Sequence, residues 1–193
     1  MKLLHVDSSI LGQNSASRAL SAAIVAARKA ADPTLEVTYR DLAATPLPHL
    51  SGGSLAKADP AEAEAAEQVL EEFLAADVVV VGAPMYNFAI PSTLKAWIDR
   101  LAVAGKTFRY NEQGMAEGLA GGKELVIASS RGGFHQTSGM DFQEPYLRQI
   151  FGFMGINEVR FVRAEGLAVS PEQREQSMKE ALTSISPALA TAA

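Results

Sequence analysis

The chain has 193 residues, 48% of them hydrophobic, which is enough for one substantial core, and one domain over 1–193 is expected. A formal net charge of −5 argues against a basic face for nucleic acid, and the lack of cysteine excludes disulfides, thiolate nucleophiles and Cys-ligated metals. Its apolar runs fall short of the about 20 residues of a membrane-spanning helix, and Met1 to Asp7 turns polar too quickly for a signal peptide, so a cytoplasmic protein without membrane partners is expected.

Lys2 to Val6 reads as a short buried strand ending at Asp7-Ser8-Ser9. Ser15 stands just before the Ala-rich helical pattern Ser17 to Ala31, where it is a natural N-cap, and Asp32-Pro33 stops that helix. Leu35 to Asp41 alternates at period two and is polar enough for an edge strand. Leu42 to Pro60, with Pro46, Pro48 and Ser51-Gly52-Gly53-Ser54, reads as a long irregular connection of the kind that serves as a lid or binding loop. Ala61 to Ala75 is a second helix with acidic residues at its start.

Val78 to Val81 is the central strand, and Ser92 to Val103 a helix with Leu94, Trp97, Ile98 and Leu101 on one face. Gly105 to Gly122 is an insertion, with an extended piece, Lys106 to Tyr110, ahead of a glycine-rich turn. A fourth strand (Glu124 to Ser129), a helix (Gln143 to Met154), a fifth strand (Glu158 to Arg163) and a last helix (Glu172 to Ile185) follow, and the Ala-rich tail is expected to fray. Five strands alternating with helices predict an α/β fold: a flavodoxin-like, doubly wound, five-stranded parallel sheet of order 2-1-3-4-5 with helices on both faces. In that wiring the loops after strands 1, 3 and 4 meet at one rim.

Those three loops carry the chemistry. Ser9 and Ser15-Ala16-Ser17 flank a helix start, whose free N–H groups and partial positive charge suit a phosphate; the plainer reading is that Ser15 only caps the helix. No Gly-x-Gly-x-x-Gly follows strand 1, and Gly122-Lys123 lacks both the upstream glycine and the following Ser or Thr of a nucleotide-triphosphate loop. The monophosphate of FMN fits the serine-lined start better than ATP does. Ala83-Pro84-Met85-Tyr86-Asn87-Phe88-Ala89-Ile90-Pro91 offers apolar surface for a flat ring and amides for its polar edge; alone it could be an ordinary strand-to-helix turn. Ser130-Arg131-Gly132-Gly133 lets the backbone approach a ligand closely, and His135 beyond it could donate a proton to a reduced flavin or simply be exposed. His5 and His49 have no metal-spaced partner, so no metal is expected, and no Gly-x-Ser-x-Gly elbow supports a hydrolase.

Taken together, Ser8-Ser9-Ile10-Leu11, Ala83 to Phe88, Gly105-Lys106-Thr107-Phe108-Arg109-Tyr110, Ser130 to Gly133 and Ala164-Glu165-Gly166 resemble the FMN-dependent NADH azoreductases, also called FMN-dependent NADH:quinone oxidoreductases, over nearly the whole chain. The resemblance implies a homodimer with FMN near the interface. Ser9, Ser15, Ala16 and Ser17 would hold the phosphate and ribityl end; Met85, Tyr86, Asn87, Phe88, Ser130, Arg131, Gly132 and Gly133 would hold the ring. Phe88, Phe108, Tyr110 and Phe153 would wall the substrate pocket, with Phe108 and Tyr110 reaching over from the neighbouring subunit, and His135 is the candidate catalytic residue. Arg18 would be a solvated helix residue or add charge for the phosphate. The implied reaction is ping-pong: NADH or NADPH delivers hydride through FMN, then a quinone or aromatic azo compound takes two electrons. The alternative is a flavodoxin-type electron carrier that docks protein partners. Replacing Asn87 with Pro would then remove a backbone donor and weaken FMN binding without unfolding the sheet.

Overall fold

The computed structural model describes residues 1–189, with side chains described through residue 185. The elements are β1 (Lys2–Asp7), a 3-10 turn (Gly12–Asn14), α1 (Ala16–Ala31), β2 (Glu36–Asp41), α2 (Gly52–Leu55), α3 (Pro60–Ala75) and β3 (Val78–Pro84). Then come α4 (Ser92–Leu101), β4 (Phe108–Tyr110), β5 (Ala116–Gly118), β6 (Glu124–Ser130), α5 (Gln143–Phe153), β7 (Val159–Ala164) and α6 (Pro171–Leu189). The last helix runs to Leu189, past its expected end at Ile185, so the first four residues of the tail expected to fray are helical; residues 190–193 lie outside the described residues.

Five strands form one parallel sheet of order β2-β1-β3-β6-β7, the predicted order, since β6 and β7 are its fourth and fifth strands. Strand residues point alternately to the two faces, and two separate apolar clusters result. Leu4, Val6, Val79, Val81, Leu125 and Ile127 pack with Phe73, Trp97, Ile98 and Phe151. Leu3, Val78, Val80, Val126 and Val162 pack with Leu20, Ile24, Ala181 and Ile185. β3 is buried at every position, as a central parallel strand must be.

Two stretches are more ordered than their composition implies. The 42–60 connection contains α2, closed by a reciprocal capping box: Ser51 Oγ accepts from the Ser54 amide and Ser54 Oγ from the Ser51 amide, both at 3.1 Å. Arg100, buried on α4, ties the connection down by donating to the Pro48 carbonyl (2.9 Å) and pairing with Glu62 (2.6 Å). The insertion is an antiparallel hairpin, β4 with β5. It is anchored by Thr107 Oγ1 donating to the Leu101 carbonyl (2.6 Å) and by the Ala120 amide donating to the Met154 carbonyl (2.9 Å).

Beneath the rim, Asp7 accepts from Ser21 Oγ (2.8 Å) and from Tyr39 Oη (3.2 Å). Gly82 makes room for this: a Cβ there would stand 2.2 Å from Asp7 Oδ1. Gly82→Ala is therefore expected to displace the carboxylate and destabilise the protein by about 1–3 kcal/mol, read as a lower urea midpoint. An unchanged midpoint would show that Asp7 relocates freely.

Candidate active site

β3 lies between β1 and β6, and all three run parallel, so Asp7 pairs across with Gly82 and Pro84 with Ser130 at one sheet edge. Three loops leave that edge and are tied to one another. The Met85 amide donates to the Ser130 carbonyl (2.8 Å). The Tyr86 phenol oxygen accepts from the Ile10 amide and lies 3.2 Å from Ser9 Oγ. The Phe142 amide donates to the Phe88 carbonyl (3.2 Å).

The central loop is a tight turn. Tyr86 and Ala89 exchange two backbone hydrogen bonds, 2.9 and 3.1 Å. They enclose Asn87 at φ 49° and Phe88 at φ 68°. Both central φ values are positive, as in the mirror-image turns that close hairpins. Asn accepts this conformation readily; an aromatic residue does so at a cost, and such strain concentrates at functional sites. Among the described residues the Asn87 and Phe88 amides have no partner, whereas those of Met85 and Tyr86 are used. Asn87→Pro is thus a poor probe of a lost donor: proline's φ near −65° cannot occupy this turn, so the substitution would break it.

In the third loop the Gly132 and Gly133 amides likewise have no partner among the described residues, while their carbonyls accept from the Ala168 (2.9 Å) and Gly166 (3.0 Å) amides. His135 sits against Gly133, where an added Cβ would lie 3.0 Å from its Nε2, and its ring meets Phe88 edge-on at 5.7 Å. His135 Nδ1 is buried with no hydrogen-bond partner among the described residues. Arg131 differs from its expected role. Its side chain has no exposed surface and is paired with Asp141 (2.9 Å), Glu144 (2.8 Å) and Glu165 (2.9 Å). Its amide and carbonyl bond to Ala164 and Leu167. No polar atom of Arg131 is left for a ligand.

At the first loop, Ser15 Oγ caps α1 by accepting from the Arg18 amide (3.3 Å) and lies 3.1 Å from Ser17 Oγ. One hydroxyl proton serves that pair, leaving one donor, together with the Ala16 and Ser17 amides, which lack intrahelical partners. Arg18 is neither solvated nor free for an anion. It forks onto Asp41 with two 2.7 Å bonds and donates to the Ser9 carbonyl (2.8 Å), fixing the loop to β2. The Arg18 hydrogen bond holds the Asp41 carboxyl below its ordinary pKa, and Asp41 raises that of Arg18.

Phe108, Tyr110 and Phe153 do come together, with ring centroids 4.5 Å (Phe108–Phe153) and 5.8 Å (Phe108–Tyr110) apart. They stand, however, at the C-terminal end of α5, about 16 Å along that helix from Phe142 at the rim. Within one chain they do not line the site, and Phe153 belongs with the hairpin residues. Ser21, His5 and Asp7 form a hydrogen-bonded set (2.9 and 2.8 Å), but Ser21 Oγ donates its proton to Asp7 and not to His5, so the set is not a base-activated nucleophile. Among the described residues no group of three His, Asp or Glu is placed to hold a metal, and no helix is long and apolar enough to cross a membrane.

Two outcomes test this geometry. Asn87→Gly should be neutral or stabilising and Asn87→Val should cost about 1–2 kcal/mol in urea unfolding, because only the β-branched residue resists positive φ. For the Arg18–Asp41 pair, the lowered folded pKa means its stabilisation is complete above the ordinary carboxylate range, near pH 4, and is lost as pH falls through the folded value. Asp41→Asn should flatten the acid side of the stability–pH curve; an unchanged curve would exclude the pair as a contributor.

Comparison with known proteins agrees with this architecture. A family described as having the flavodoxin-like fold matches residues 1–188. The FMN-dependent NADH:quinone oxidoreductase of Stenotrophomonas maltophilia (strain K279a) is 63% identical over 185 residues, covering 96% of this chain and 94% of the relative. FMN-dependent NADH:quinone oxidoreductase 1 of Xanthomonas axonopodis pv. citri (strain 306) is 60% identical over 186 residues, covering 96% of each. Among solved structures, the azoreductase from Bacillus anthracis str. Sterne superposes with a TM-score of 0.85 at 29% identity, over 97% of both chains. The chain belongs to the FMN-dependent NADH:quinone oxidoreductase family, within the flavodoxin-like fold.

Proposed function

We propose that this protein is an FMN-dependent oxidoreductase that uses NADH or NADPH to reduce quinones and aromatic azo compounds by two electrons. The observation that carries this reading is the convergence at one rim of amides with no partner among the described residues: Asn87 and Phe88 in a strained turn, with Gly132 and Gly133 on the adjoining loop. The residues present fit FMN. The α1 start suits its phosphate, the free amides suit the polar edge of its ring, Met85 and Phe88 supply apolar surface, and His135 Nδ1 is a buried polar atom in need of a partner.

When bound, FMN would supply the redox chemistry, hydride uptake from the nicotinamide and two-electron delivery to the acceptor. The chain's own residues bind and orient. Ser9, Ser15, Ala16 and Ser17 would hold the phosphate end, through backbone amides where the hydroxyl is buried; Met85 to Phe88, Ser130, Gly132 and Gly133 would hold the ring; Phe88 would face the alternating substrates, and His135 would relay a proton to the acceptor through its ring. Nicotinamide and acceptor use the same open face in turn. In a single chain this face is bordered by exposed Phe88, Phe134 and Phe142. Closing it against water calls for a second copy, whose Phe108, Tyr110 and Phe153 would wall the pocket, and so for a homodimer. On the same reading the chain is one cytoplasmic domain over 1–193, its sheet wound on both faces, with α1 and α6 opposite α3, α4 and α5, which the two separate apolar clusters support.

Purified protein loaded with FMN should bleach on anaerobic addition of NADH and recover its flavin absorbance on addition of a quinone, while sedimenting as a dimer. Failure to bind FMN would overturn the flavin reading; binding without reduction by either nicotinamide would favour an electron carrier. His135→Ala should slow acceptor reduction by up to about a hundredfold and change its pH profile; unchanged rates and profile would remove His135 from proton transfer.

A further inference from the structure

Glu165-Gly166 follows Ala164, the last residue of β7, outside the three loops, yet one oxygen of Glu165 holds the third loop. Glu165 Oε1 accepts from Arg131 Nη1 (2.9 Å), the His135 amide (3.0 Å) and the Gln136 amide (3.0 Å). Arg131 in turn pairs with Asp141, whose other oxygen accepts from the Gln143 (2.9 Å) and Glu144 (3.1 Å) amides at the start of α5. Arg163 closes onto Glu144 with bonds of 2.6 and 2.8 Å. Both ends of the segment from Gly132 to Phe142 therefore hang from one buried guanidinium: the near end through Glu165, the far end through Asp141. The next residue fits the same purpose. Gly166, at φ 70°, lies so close to the Phe134 ring that an added Cβ would come within 2.5 Å of it.

We propose that Glu165 is a positioning residue for the cofactor site. It fixes the His135 backbone, and through it the neighbouring glycine amides, in binding geometry before the cofactor arrives. Preorganisation of this kind raises affinity because the loop need not be ordered on binding. The charge on Glu165 matters less than its acceptor oxygen: Oε2 has no partner among the described residues, so a glutamine can present Oε1 to both amides and its NH₂ to open space. This inference rests on the FMN reading above.

The test compares wild type, Glu165→Ala and Glu165→Gln as full-length apoprotein, by FMN fluorescence titration and by hydrogen exchange at the His135 and Gln136 amides. Glu165→Ala should raise the FMN Kd about tenfold or more and speed exchange at those two amides, without matching acceleration in the central strand β3. Glu165→Gln should recover most of the affinity and the protection. Wild-type affinity in Glu165→Ala would overturn the proposal. So would equal losses in both variants with exchange rising throughout the sheet, because that is the mark of a merely structural ion pair. If wild type itself fails to bind FMN, the functional reading falls, and the exchange at His135 and Gln136 still decides whether Glu165 holds the loop.

Discussion

The register of three parallel strands is the constraint on which the site depends. β3 is flanked by β1 and β6, so the chain must leave the sheet three times at nearly one point, and the three exits become neighbours however far apart they are in sequence. The hydrogen bond from the Met85 amide to the Ser130 carbonyl continues the β3–β6 ladder beyond the sheet and fixes the spacing of two of these loops. The Tyr86 hydroxyl fixes the third by reaching back to Ser9 and Ile10. A turn so constrained can hold Asn87 and Phe88 at positive φ with their amides exposed, a conformation a free loop would relax.

Two guanidinium groups flank this arrangement. Arg18 joins the first loop to β2 through Asp41, and Arg131 joins the third loop to α5 and β7 through three carboxylates. Each works by being paired at short range with planar, hydrogen-bonded geometry, which is what allows a charge to be buried without prohibitive cost. Both are taken up by their carboxylate partners, and both set where the backbone of the first and third loops stands. Backbone amides as ligands carry little side-chain specificity, so their placement must be enforced from behind.

The sheet order was legible because β1, β3 and β6 have buried apolar runs, β2 alternates as a polar edge strand, and the five strands alternate with helices. The three loops were legible because serine, aromatic and glycine clusters follow those strands. The roles of arginines were not. Arg18 and Arg131 stand among apparent ligand residues, and sequence spacing does not reveal that Asp41 in β2 pairs with Arg18, or Glu144 in α5 and Glu165 beyond β7 with Arg131. Long-range pairing of this kind has no local periodicity. The same holds for α2, whose four residues are fixed by a capping box and by Arg100, which donates to Ser54 Oγ from 46 residues on. The resemblance places Phe108, Tyr110 and Phe153 at the substrate pocket, with the first two crossing from a neighbouring subunit; that the three rings pack on one another within one chain, away from the rim along α5, emerges only in three dimensions.

The most direct measurement of the central claim is an amide chemical-shift titration of uniformly ¹⁵N-labelled apoprotein with FMN. The account predicts that the largest changes fall on Ala16, Ser17, Asn87, Phe88, Gly132 and Gly133, whose amides are unpartnered at the rim or at the α1 start. Changes centred instead on the groove among α2, α3 and α4, with these six amides unmoved, would contradict it.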